Sequence, residues 1–358
     1  MNPINIIEPS LYDETGHSCS FIRNLVSTAR NQPVPMACRV WYQKTSPLAF
    51  SALGVEERRY FGRMLYKLQI WTLLRAWNFT TQGKVFIPTC DLTTLRTLAN
   101  ARPKGVPGHS MFVFVHWFRQ TEKRAAILRR IARQLPELHV ITLNEEVESY
   151  FKDAGFSHVN KVNYPYLISD ETTPTPFSHL LFIGAARSNK GFSEMIDYLD
   201  YLSGKGSDLP FVIQTSRPGR KGYDTPTRNA LSKLDRINYS HLRLIPETMT
   251  SDEYARALPG AICFQLYDPV AFRLSVSGVT LDAIGSLSPI LCRRGTWTSR
   301  IVEQYGIGVC IDEVNNETIN IAIARLVSEY SNYQERLLEC RAIFAKDYHP
   351  SHVIDCLN

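Results

Sequence analysis

The segment from Tyr267 to Trp297 reads YDPVAFRLSVSGVTLDAIGSLSPILCRRGTW and gathers residue types that bind an anion. Arg273, Ser275 and Ser277 precede Gly278 and Val279, which open a predicted helix. Free backbone N–H groups at a helix start favour phosphate, and a nearby guanidinium adds a bidentate contact. Asp282, one turn into the helix, has the chemistry to accept hydrogen bonds from ribose hydroxyls. A capped helix with a surface Arg and Asp gives the same local pattern, so the pattern alone leaves both readings open. A second candidate is IGAARSNKG, residues 183–191, where Gly184 and Gly191 bound a loop carrying Arg187 and Lys190. Glycines after a strand permit close backbone approach to a phosphate, and Lys supplies a point charge. An ordinary strand-to-helix turn with a solvated Lys is the alternative.

Two histidines complete the set. Gly16 and His17 end the loop after the first predicted strand, and His116 follows the run MFVFV. Either histidine suits hydrogen bonding to a sugar, and either also suits a purely structural place. No Asp-x-Asp stands in a loop at a strand end, so a metal-independent reaction is expected, with cations doing what Mg²⁺ does elsewhere.

These residues need a scaffold that brings loops together. Apolar runs at 4–7, 84–88, 111–115 and 139–143 read as strands, MFVFV as one buried on both faces. Helices are expected from about Ser18, which is placed as its cap, over 55–77 and over 121–134. The stretch NYPYLISDETTPTP, rich in Pro and Thr, reads as a linker. The rhythm then restarts, with strands at 179–183, 210–214, 242–245, 261–266 and 289–292. Helices are expected at 192–204, 251–258, 279–287 and 332–346. Two such successions predict two parallel sheets covered by helices, with ligands beyond the strand C-termini, in the cleft between the domains. Domains are expected at 1–170 and 171–335, with 336–358 forming a C-terminal helix.

The motifs resemble those of family 4-like, "group 1" retaining glycosyltransferases. LDAIGSLSPI is similar to the LEAMACGTPVI stretch that holds their second acidic residue, here Asp282. The first acid of their E-x7-E motif falls at Leu274. Arg273, Ser275, Ser277, Gly278, Val279, Asp282 and Ala283, followed by Gly295, Thr296 and Trp297, spell instead an R-x-S-x-SGV variant of that motif. IGAARSNKG resembles the GR-x4-KG loop that grips a donor diphosphate, with Lys190 in register and Ala185 at the Arg position. The resemblance implies a GT-B fold and a C-terminal helix that returns to the N-terminal domain. It implies transfer of a sugar, with retention, from a UDP- or GDP-linked donor to a hydroxyl of a glycan, lipid-linked or protein acceptor, in polysaccharide biosynthesis. Its candidate catalytic residues are His116, Arg273 and Lys190. Its donor residues are Gly184, Arg187, Lys190, Arg273, Ser275, Ser277, Gly278, Val279 and Asp282, with Gly16 and His17 in a sugar or acceptor loop. A catalytically inactive GT-B protein that binds nucleotide sugar or glycan is the alternative, because Ala185 and Leu274 replace charged positions.

Composition narrows the classes. A net charge of +6 over 358 residues is too mild for a dedicated nucleic-acid binder and suits an anionic ligand. A dehydrogenase fingerprint is missing, since the loop after the first strand reads YDETGH and not GxGxxG. The eight cysteines show no CxxC pair, so reduced, buried thiols are expected. Neither a signal peptide nor a run of 18 apolar residues stands in the sequence, so a cytoplasmic location is expected. Arg58, Arg59, Arg63, Lys67 and Arg75 on one predicted helix, and Lys123, Arg124, Arg129, Arg130 and Arg133 on another, suit contact with the inner face of an anionic membrane, or simply a solvated face.

Overall fold

The computed structural model describes residues 3–14, 17–62, 64–76, 83–101, 110–168, 171–218 and 222–358, with only the backbone of His17. It divides into two units, 1–167 with 347–358, and 168–346.

The first unit runs β1 (Ile4–Ile7), α1 (His17–Arg30), β2 (Cys38–Gln43), β3 (Glu56–Phe61), α2 (Tyr66–Ala76), β4 (Lys84–Ile87), α3 (Leu92–Ala101), β5 (Met111–Val115), α4 (Glu122–Gln134), β6 (His139–Thr142), α5 (Glu145–Asp153) and β7 (His158–Lys161). Its sheet is parallel in the order β3-β2-β1-β4-β5-β6-β7. The centre strands β1 and β5 are wholly buried, because helices cover both sheet faces. Thr121 caps α4 by accepting from the Arg124 amide, and Ala125, Leu128, Ile131 and Ala132 turn its apolar stripe inward.

The second unit runs β8 (His179–Phe182), α6 (Phe192–Gly204), β9 (Phe211–Gln214), α7 (Thr225–Leu234), β10 (Leu242–Ile245), α8 (Ser251–Ala257), β11 (Ala261–Gln265), α9 (Pro269–Phe272), α10 (Gly278–Gly285), β12 (Ile290–Arg293), α11 (Trp297–Tyr305), β13 (Gly308–Ile311), α12 (Asn316–Ser328) and α13 (Tyr330–Asp347). Its parallel sheet has the order β10-β9-β8-β11-β12-β13. Numbered within each unit, both sheets follow 3-2-1-4-5-6, the dinucleotide-fold order, with the first unit adding one strand. Tyr198, Phe192, Phe182 and Met195 fill the core under α6. The short α14 (Ser351–Leu357) belongs to the first unit, where it packs on α1 and where the Lys84 ammonium binds the Leu357 and Asn358 carbonyls.

Several expectations need correction. The helix expected over 55–77 is a strand followed by a helix, so Arg58 and Arg59 lie on β3, Lys67 and Arg75 lie on α2, and Arg63 lies outside the described residues. Apolar spacing from Phe61 through Leu68 mimicked one helix face, yet Met64, Leu65 and Leu68 are exposed. Ser18 lies inside α1 and does not cap it. Strands β2, β3, β7 and β13 and helices α3, α5, α7, α11 and α12 went unpredicted. The stretch 336–358 is not one element: 336–346 stay in the second unit and 347–358 join the first. No helix among the described residues is long and apolar enough to cross a membrane.

Candidate anion site at the strand switch of the second unit

The strand order 3-2-1-4 reverses its progression across the sheet between the parallel strands β8 and β11, and ligands of such sheets bind beyond the strand C-termini at this point. The two loops singled out in the sequence leave from these two strands. After β8 the chain turns at Gly184, with φ of 97°, and the Gly184 amide donates to the Gln214 Oε1 at 2.6 Å. One tight turn, Ser188–Lys190, then closes on Gly191, with φ of 78°. A Cβ at residue 191 would stand 2.5 Å from the Leu266 carbonyl oxygen, so only glycine lets the turn lie against the end of β11. The Asp268 amide donates to the Asn189 carbonyl at 3.0 Å. Close approach and hydrogen bond together fasten the two loops.

Lys190, half-buried, lies between these two loops. Its Nζ lies 3.1 Å from where a Gly184 Cβ would be, and 5.9 Å from the centre of the Tyr267 ring. No carboxylate pairs with it among the described residues. Loss of water, and then the Arg187 cation beside it, lower its pKa to about 8. A desolvated ammonium without a counter-ion is a place for an anion.

The start of α10 stands on the same loop pair. Ser277 is buried, accepts from the Thr280 amide at 3.3 Å and lies 3.4 Å from the Tyr267 hydroxyl. A side chain at Gly278 would meet nothing within 4 Å, so the start of α10 is uncrowded at this residue. Below it the Thr280 hydroxyl donates to the Gln265 Oε1 at 2.6 Å and lies 2.9 Å from the Thr298 hydroxyl. This buried network pins the first turn of α10 to β11 and α11.

The remaining predicted residues divide. Arg187 and Arg273 are exposed, and the Arg273 carbonyl accepts from the Arg300 guanidinium at 2.8 Å. The Ser275 hydroxyl turns back to the Ala271 carbonyl at 3.3 Å. The Asp282 Oδ2 accepts from the Tyr254 hydroxyl at 2.7 Å, and burial pushes that hydroxyl well above its ordinary pKa. His116, in the first unit, donates from Nε2 to the Pro88 carbonyl at 2.7 Å and packs among Phe21, Phe114 and Tyr164. A carbonyl only accepts, which fixes the proton on Nε2. Gly16 and the His17 side chain lie outside the described residues.

One charged residue escaped the sequence reading. Glu8 directly follows β1, at the first unit's own strand switch, and is 2% exposed. Its Oε1 accepts from the Ser10 amide at 3.1 Å, while its buried Oε2 has no hydrogen-bond partner. Burial raises its pKa above the ordinary carboxylate value. The signal was an acidic residue directly after the apolar INII.

Two parallel sheets of this order define a GT-B fold of two Rossmann-like domains. Solved structures of such enzymes match nearly the whole chain. Sucrose-phosphate synthase from Thermosynechococcus elongatus aligns with a TM-score of 0.71 at 12% identity, covering 99% of this chain and 96% of that one. Anabaena HepE, solved with UDP and glucose, aligns with a TM-score of 0.68 at 11% identity, covering 99% and 98%. WaaG, a glycosyltransferase of lipopolysaccharide biosynthesis, aligns with a TM-score of 0.62 at 13% identity, covering 99% of each chain. At the level of sequence, no family model and no curated protein matches.

Proposed function

We propose that this chain is a glycosyltransferase that moves a sugar from a UDP- or GDP-linked donor to a hydroxyl of a glycan, lipid-linked or protein acceptor. The observation that carries the reading is Lys190, a desolvated cation without a carboxylate partner among the described residues, seated at the strand switch. A nucleoside diphosphate supplies the missing negative charge. In this reading Lys190, Arg187, Arg273 and the amides of Ser277, Gly278 and Val279 hold the diphosphate. They stabilise the charge it gains as the glycosidic bond to the sugar breaks. These cations act without a metal ion, and no cofactor takes part. Asp282, oriented by Tyr254, binds the ribose. His116, Gly16 and His17 serve the sugar and acceptor, and transfer retains the anomeric configuration in a family 4-like variant active site. The structural neighbours support the reading: Anabaena HepE was also solved with UDP-glucose. Exposed Lys123, Arg129, Arg130 and Arg133 on α4 support peripheral contact with an anionic membrane at its cytoplasmic face.

Calorimetry with UDP, GDP and their sugars tests this. Arg273→Ala and Lys190→Ala each weaken binding of the true donor, and purified protein releases the nucleoside diphosphate when an acceptor is present. Donor affinity unchanged in both variants refutes the site. Binding without turnover against an acceptor panel favours a non-catalytic GT-B protein.

A further inference from the structure

Strands β12 and β13 pair in parallel with Cys292 directly opposite Cys310. Neighbouring strands lie about 4.8 Å apart, inside the Cα separation a disulfide accepts. The two Sγ atoms are 3.4 Å apart, so a change of side-chain rotamer suffices to join them. β13 is the outermost strand of its sheet. There Cys310 is half-buried and reachable from solvent, while Cys292 is buried. We propose that Cys292 and Cys310 are a peroxide-responsive thiol pair that closes into a disulfide.

The roles of the two sulfurs differ. A hydrogen bond from the Cys292 thiol holds Cys310 below the usual thiol pKa, with the Arg294 cation helping, while burial pushes Cys292 well up. The Cys310 thiolate therefore attacks hydrogen peroxide, forming an S–O bond as the O–O bond breaks. It becomes a sulfenic acid, and hydroxide leaves. Cys292 then attacks that sulfur: an S–S bond forms, the S–O bond breaks, and the leaving oxygen takes the Cys292 proton. In sum two thiols and one peroxide give one disulfide and two waters. Burial raises the thiol pKa of Cys19, Cys38, Cys90, Cys263, Cys340 and Cys356, which makes the pair selective.

The test is peroxide treatment of the intact protein, alkylation of the remaining thiols with iodoacetamide in denaturant, digestion without reductant, and mass spectrometry. The expected product is one linked pair of peptides carrying Cys292 and Cys310, lighter by two hydrogens than their sum and released by dithiothreitol. In Cys292→Ser, dimedone traps a sulfenic acid at Cys310; in Cys310→Ser, Cys292 remains alkylatable. Should either variant fail to fold, the wild-type cross-link decides alone. Recovery of both cysteines as alkylated peptides after another cysteine has been oxidised overturns the proposal, as does over-oxidation of Cys310 without a link.

Discussion

Replacing Lys190 by Met separates stability from binding. In the folded protein the Lys190 pKa falls from 10.5 to about 8. The unfolded chain therefore binds more protons between these values, and stability rises with pH across that window. Below about pH 8 the charged ammonium burdens the fold by the full difference. At roughly 1.4 kcal/mol per pKa unit, the upper bound is about 3.5 kcal/mol. Lys190→Met removes the burden, so thermal denaturation at neutral pH shows a melting temperature several degrees higher. On the proposed function with a UDP-linked donor, the same variant loses the stabilisation expected of UDP in the wild type. In the wild type, a bound diphosphate favours the charged ammonium. UDP affinity measured by calorimetry then falls as pH rises above about 8, approaching tenfold per unit. A destabilised Lys190→Met protein, or one that keeps its UDP response, refutes the reasoning that Lys190 is a cation stored for an anion.

Three further outcomes follow from contacts. Gly191→Ala combines a left-handed φ with a Cβ 2.5 Å from a carbonyl oxygen; urea titration shows a loss of about 2 kcal/mol or more, with weaker UDP binding. Tyr254→Phe removes the hydroxyl that donates to Asp282 and lowers stability by about 1.5–3 kcal/mol. It weakens UDP binding more than pyrophosphate binding, and equal effects on both ligands dissociate Asp282 from the ribose. Glu8 has a raised folded pKa, so its contribution to stability is lost as pH rises from the ordinary 4.5 through the folded value. Glu8→Gln flattens that decline in denaturant midpoints measured on the two sides of the window, and an unchanged slope argues against the buried acid.

Legibility followed burial. MFVFV and AICFQ are strands buried along their whole length, and their unbroken apolar runs announced them. Edge strands carry no such signature. In β3 only Phe61 is buried, and in β7 only Val159, so EERRYF and HVNK look like helix or loop. For the site, glycine spacing and the SVSGV helix start picked out both loops, because backbone geometry demands those residues locally. What joins them was not legible. The contact of Asn189 with Asp268 spans 79 positions, and that of Tyr254 with Asp282 spans 28. Such pairings depend on strand order, which periodicity does not encode. Glu8 stayed hidden because a single acid after a strand is common on surfaces, and only the fold reveals that this one is buried.

The bracing between the turn at Gly191 and the end of β11 has a kinetic consequence. Loops held to each other by Asp268 and Asn189 lose their conformational freedom during folding, before any ligand arrives. On the proposed function, an anion then docks into a receptor already in shape, and little ordering entropy is lost at that step. Encounter rates for related ligands should accordingly be alike, with selectivity expressed in how long each one stays.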